Sequence, residues 1–112
     1  MQKIGQGTLT SGRTCSGTLR AVETVQDVLR LMKMDLSETI LLTSSASATA
    51  VIPLFSKVKG VVCTAGGATS HLAIVAREFD LPCMMGSEMS GAPELDGRAV
   101  LFNEQGEIFL QG

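Results

Sequence analysis

Apolar residues recur along the chain at spacings that change from stretch to stretch, and each spacing predicts an element. Val25, Val28, Leu29 and Met32 repeat at helical spacing on one face, with Thr24 placed to cap and Asp27 three residues on to return the bond. Ile40-Leu41-Leu42 has the length of a buried strand and runs into the small-residue stretch TSSASATA, a loop. AVIPLFSKV has room for one or two helical turns, with Pro53 tolerable only near their start. GVVCTAGG is strand-like and stops at two glycines. From Thr69 to Phe79 the period is helical again: Leu72, Val75, Ala76 and Phe79 share a face, and Pro82 forbids extension. LPCMMG reads as another buried strand, and LDGRAVLFNEQGEIFLQG as two strands joined by a hairpin turn at Asn-Glu-Gln-Gly. Glycines and small polar residues crowd positions 5–18, which predicts turns between short strands before LRAV. Strands at both ends, three helical pieces and a central strand, Gly-rich turn and helix give an α/β fold. A chain of 112 residues suits a single compact domain over 1–112.

Composition narrows the function classes. With 45% hydrophobic and 18% charged residues and neither Trp nor Tyr, the chain is an ordinary globular one whose core is aliphatic. Met32, Met34, Met84, Met85 and Met89 read as core filling. The net charge of −2 comes with no basic stripe interleaved with aromatics, which argues against a nucleic-acid partner. Cys15, Cys63 and Cys83 are odd in number, far apart and without a CxxC pair, so neither a disulfide framework nor a zinc site is expected. Cys63 reads as a small buried hydrophobe. No apolar run approaches the roughly 20 residues that span a bilayer, and MQKIGQGTLTSGR lacks a signal peptide's apolar stretch. A cytoplasmic protein without a membrane partner is the expectation.

The chemistry gathers in GGATSHLAIVAR, residues 66–77, which hold the only histidine, His71. A helix N-terminus presents amides without intrahelical partners and partial positive charge, so it seats phosphate or carboxylate. The same field disfavours a positive imidazole and so favours the nucleophilic neutral ring. Gly66 and Gly67 let a ligand approach the backbone. Thr69 or Ser70 is the N-cap, yet Leu72 and Ala73 three residues on cannot complete a capping box, which leaves amides for a phosphoryl group. Thr69 has a hydroxyl to offer the same anion. A lone histidine at a helix start also fits a surface or structural residue, and the residues alone leave that choice open. A second histidine and a phosphate-cradling GxxxxGK run are both missing, so the chain lacks a complete active site of its own. A nucleophile without partners suits a carrier that borrows machinery from other domains.

GGATSHLAIVARE, continuing as FDLPCMMG, resembles the phosphohistidine signature of the mobile domain of phosphoenolpyruvate-utilising enzymes. That family includes pyruvate phosphate dikinase, phosphoenolpyruvate synthase, enzyme I and the rifampicin phosphotransferases. LTSGRTCSGTLRAV, ETILLTSS, IPLFSKVKGVVCTAGG, ELDGRAVLF and GEIFL resemble its flanking segments, so the likeness covers nearly the whole chain. The resemblance implies a swivelling β/β/α fold and a phosphoryl carrier, part of a phosphotransferase and not a complete enzyme alone. His71 matches the phosphoryl-accepting histidine, through Nε2; Gly66, Gly67, Thr69 and Ser70 match the phosphate-binding positions before it. Arg77 matches the motif's arginine, with phosphate contact and a structural salt bridge both open. The resemblance implies no cofactor or metal bound by this domain; magnesium with ATP or phosphoenolpyruvate belongs to partner domains, an ATP-grasp-like nucleotide-binding domain, a phosphoenolpyruvate-binding domain, or both. Two positions depart from the family pattern: Leu72 stands where a small residue usually follows the histidine, and Asp80 where glycine often ends the helix. A Leu72 that narrows access to the ring would instead favour a non-catalytic binding or regulatory module on the same fold.

Overall fold

A computed structural model describes residues 2–44, 51–90 and 95–111. Strands β1 (Gln2–Ser11) and β2 (Cys15–Ala21) lead to helix α1 (Val25–Leu31), and β3 (Thr39–Thr43) to a 3-10 turn at Ile52–Leu54 with Pro53 in its first turn. Then follow β4 (Gly60–Cys63), α2 (His71–Glu78), β5 (Cys83–Met89) and the hairpin β6 (Ala99–Phe102) and β7 (Glu107–Leu110). The strands lie in the order β1-β5-β4-β3-β2-β6-β7, and β7 pairs back to β1, so one mixed sheet closes into a barrel. Pairs β2–β3, β3–β4 and β4–β5 are parallel and the rest antiparallel. Parallel neighbours need crossover connections, and α1, the 3-10 turn and α2 lie within these three.

Strand alternation divides the core in two. Ile40, Leu42, Val62 and Met84 point to one face, where they meet Ile4, Leu19, Val100, Phe102 and Ile108; every strand contributes, so this is the barrel interior. Leu41, Val61, Cys63, Cys83 and Met85 point to the other face and are covered by Val28 and Leu31 of α1, Leu54 and Phe55 of the 3-10 turn, and Leu72, Ala73 and Ala76 of α2. A strand with both faces covered is apolar throughout, which is why β3 and β4 read as unbroken hydrophobic runs.

Four sequence expectations change. Positions 5–18 form two long strands with the turn confined to Gly12–Thr14, because Gly5 marks a close approach inside β1: a methyl group there would come within 2.7 Å of Met89 Sδ and 2.8 Å of the Glu88 carbonyl. The α1 face differs too. Val28 and Leu31 are buried, whereas Val25 is 65% exposed, Leu29 54% exposed, and Met32 and Met34 also face solvent. Residues 25, 29 and 32 form one apolar stripe and 28 and 31 another; spacing alone does not say which of two stripes a short helix turns inward. The helix read as Thr69–Phe79 spans His71–Glu78, with Phe79 half exposed at its C-cap and edge-on to Phe55 at 5.9 Å between ring centres. Closure of the sheet is the fourth: an α/β element order does not specify a barrel. At the end of α2 Asp80 takes the left-handed conformation of the glycine it replaces in the family pattern, with φ 54, and the Leu81 amide donates to the Ala76 carbonyl at 2.9 Å. Most of the TSSASATA stretch lies outside the described residues.

Candidate functional site

Residues 64–71 cross from the carboxyl end of β4 to the start of α2, on the strand edge where parallel α/β sheets place their ligands. The path is fixed step by step. Thr64 N–H donates to the Thr43 carbonyl at 3.0 Å, which ties the loop to β3, and Gly86 N–H of β5 donates to the Ala65 carbonyl at 3.3 Å. Gly66 then turns with φ 73, a conformation that L side chains resist. Gly67 has a different reason to be glycine: nothing lies within 4 Å of where its Cβ would be, so the missing side chain leaves open space above the backbone.

Ser70 is the N-cap of α2, yet it does not cap. Its Oγ accepts from Gly67 N–H at 2.9 Å while its own N–H donates to the Gly67 carbonyl at 2.9 Å, and it makes no side-chain bond to the first helical amides. The hydroxyl holds the loop and leaves the positive end of the helix uncapped by its own N-cap residue. Arg77 reaches back along the helix and donates from Nη2 to the Ala68 carbonyl, so its contact is a loop carbonyl where a salt bridge was one expectation.

His71 is the first residue of α2 and is exposed, beside the exposed Thr69 and the open space at Gly67. Its direction is set by Leu72, Ala73 and Ala76, which fix the helix on the sheet. Leu72 is fully buried in that core, so the large residue after the histidine packs inward and does not cover the ring. The structure therefore gathers Gly66, Gly67, Thr69, Ser70 and His71 at one loop and helix start, with Arg77 anchored to the same loop. Among the described residues, no three His, Cys, Asp or Glu side chains converge as a metal site requires. No described helix is long and apolar enough to cross a membrane.

Burial pushes the thiols of Cys15 and Cys83 up to about 11 and raises that of Cys63, so all three stay protonated near neutral pH, as buried apolar groups do. Sequence reasoning missed two neighbours of the site. Glu23, after β2, accepts from Ser44 Oγ at 2.5 Å on the same strand edge and helps raise the Cys63 thiol. Gly86 closes the FDLPCMMG segment inside β5, where nothing local shows that it reaches the loop before α2.

Residues 36–103 match the protein family described as PEP-utilising enzyme, mobile domain. The rifampicin phosphotransferase of Bacillus subtilis (strain 168) is 33% identical over 73 residues, covering 65% of this chain and 8% of that protein. A probable phosphoenolpyruvate synthase of Methanothermobacter thermautotrophicus is 26% identical over 72 residues, 64% of this chain and 10% of the relative. Among solved structures, the N-terminal domain of Enzyme 1 - Nitrogen superposes with a TM-score of 0.54 at 28% identity, over 69% of this chain and 32% of that one. The chain spans 8% and 10% of the lengths of these two curated relatives and 32% of the solved one.

Proposed function

Because the chain belongs to the mobile-domain family of the PEP-utilising enzymes, we propose that it is a phosphoryl carrier in which His71 takes a phosphoryl group at one partner site and gives it up at another. The observation that carries this reading is the start of α2: an exposed imidazole on the first residue of a helix whose N-cap hydroxyl is turned away from the amides. The layer order of helices, parallel strands and closing strands supports the swivelling β/β/α fold, and a domain that swings between sites fits a chain whose one histidine stands exposed at a helix start.

In the transfer, the lone pair of neutral His71 Nε2 attacks phosphorus in line, an N–P bond forms, and the P–O bond to the donor breaks. With phosphoenolpyruvate the leaving enolate takes a proton and becomes pyruvate; with ATP the attack falls on the β-phosphorus, AMP leaves, and the pyrophosphoryl group on Nε2 gives its γ-phosphoryl group to phosphate or water before the β-phosphoryl group is delivered. The imidazolium formed sheds its Nδ1 proton to solvent. The amides of the first turn of α2, with Thr69 Oγ, meet the charge on the phosphoryl oxygens, so the domain contributes positioning and electrostatics. Arg77 sits one side chain's reach from the loop and adds positive charge there. Magnesium and the donor are held by an ATP-grasp-like nucleotide-binding domain, a phosphoenolpyruvate-binding domain, or both, and the setting is cytoplasmic.

Labelled phosphoenolpyruvate and, separately, β-labelled ATP, each with and without extract of the source cell, test the reading. Acid-labile label that requires extract and disappears in His71→Ala supports it, and the effective donor names the branch of the family. Label absent under both donors with the fold intact removes it in favour of the binding module.

A further inference from the structure

The site loop rests on the last residue of the FDLPCMMG segment, to which the sequence assigns no role. Strand β5 pairs with β4 only at Val61↔Cys83 and Val62↔Met84, and beyond Met84 loop residues 64–66 follow β4 while β5 continues along β1. There β5 carries an extra residue: Gln6 pairs with Glu88 and Thr8 with Met85, so two steps on β1 answer three on β5. Gly86 lies in this bulge with φ 59. Its amide donates to the Ala65 carbonyl at 3.3 Å, and a methyl group on its Cα would stand 3.1 Å from the Gly66 carbonyl oxygen. Behind it the bulge has no slack, since a methyl group on Gly7 of β1 would overlap Ser87 Oγ, and Gly7 is bonded in turn to Gly106 through its amide at 2.8 Å. A side chain at the left-handed Gly86 would therefore press on the carbonyl of the left-handed Gly66 and require it to give by a few tenths of an ångström.

We propose that Gly86 is a positioning residue for phosphoryl transfer: the β5 bulge sets the height and turn of Ala65-Gly66, and through them the Gly67–Ser70 turn and the aim of His71. It touches neither the ring nor the phosphoryl group. The proposal rests on the carrier reading above, because aim matters only if His71 reacts. A misplacement of about 1 Å costs on the order of a hundredfold in such a reaction, since both the nucleophile and the amides must converge on one phosphorus.

The test uses the whole chain and phosphoramidate, a small donor that phosphorylates imidazoles without a partner; with one histidine, every phosphohistidine signal reports His71. Gly86→Ala places the methyl group against Gly66. Gly86→Asn does the same while tolerating the left-handed backbone, which guards against simple unfolding. Gly97→Ala is the matched control, with φ 84 and only the Arg20 side chain at 3.5 Å in its way. With circular dichroism confirming folded protein, both Gly86 variants are expected to slow labelling at least tenfold and to shift the amide resonances of residues 65–72, while Gly97→Ala stays within twofold and leaves those resonances in place. Equal rates and equal loop resonances in the Gly86 and Gly97 variants overturn the positioning role. Wild-type labelling no faster than that of N-acetylhistidine instead overturns the carrier reading, and the positioning role with it. A Gly86 effect on loop resonances without any effect on rate also overturns it.

Discussion

The molecule begins two helices after two parallel strands of one sheet and finishes them differently. At α1, Thr24 Oγ accepts from Asp27 N–H at 3.1 Å, and Asp27 returns the bond to the amides of Thr24 at 3.0 Å and Glu23 at 2.9 Å. Those bonds hold the Asp27 carboxyl below the ordinary aspartate value, and an anion arriving there meets a carboxylate. At α2 the corresponding serine bonds backwards to Gly67, the third helical position is a buried alanine, and no acid stands in the first turn. One start is closed by its own side chains; the other is left for something else to close. The difference teaches where the chain forgoes local stability, and His71 sits at that place.

The comparison breaks most visibly in the core beneath α2. Leu72→Ala should cost about 2–5 kcal/mol in chemical denaturation, because a fully buried leucine leaves a cavity. Labelling of the folded fraction should persist, since Leu72 faces the sheet and not the ring; lost labelling in folded protein would place that side chain at the reaction. Closing the open start is the next test. Ser70→Asp puts a carboxylate where the phosphoryl group is to lie, and phosphorylation of His71 should fall about tenfold or more, roughly 1.4 kcal/mol, with thermal stability held or raised. Opening the closed start should do the opposite. Thr24→Ala is expected to lower stability by about 1 kcal/mol and leave the phosphorylation rate unchanged.

The smallest effect is on pH dependence. Asp27 has its folded value lowered, so the stability it lends is fully present above the unfolded value and is lost as pH falls below 3.8 through the folded one. Acid unfolding of Asp27→Asn should show a weaker dependence on pH in that range. An unchanged profile would mean that the cap seen at α1 does not persist in solution.

Much of this contrast is legible in the chain. Thr24 with Asp27 announces a capping box, and Ser70 followed by Leu72 and Ala73 announces its absence. The strands β3, β4, β6 and β7 and the hairpin turn follow from local pattern, since Asn103 Oδ1 accepts from the amides of Gln105 and Glu107 and Gly106 supplies φ 82. What the chain does not announce is set by partners distant in sequence. Closure of the barrel depends on β7 finding β1, about a hundred residues away, and the inward face of α1 depends on which stripe the sheet accepts. Glycines in β1 resemble turn residues until the neighbouring strand shows why no side chain fits. For the site, His71 and the glycines before it are local and readable, whereas Gly86 is tied to them across the sheet.

Phosphorylating the isotope-labelled chain and following its amide resonances tests the central claim most directly. A single acid-labile phosphoryl group on His71 Nε2, with large shifts at Gly67, Leu72 and Ala73 and none at Val25, Gln26 and Asp27, is the predicted result. Phosphorylated His71 with those α2 amides unmoved, or no phosphohistidine at all, would contradict it, for the open helix start would then not be the seat of the phosphoryl group.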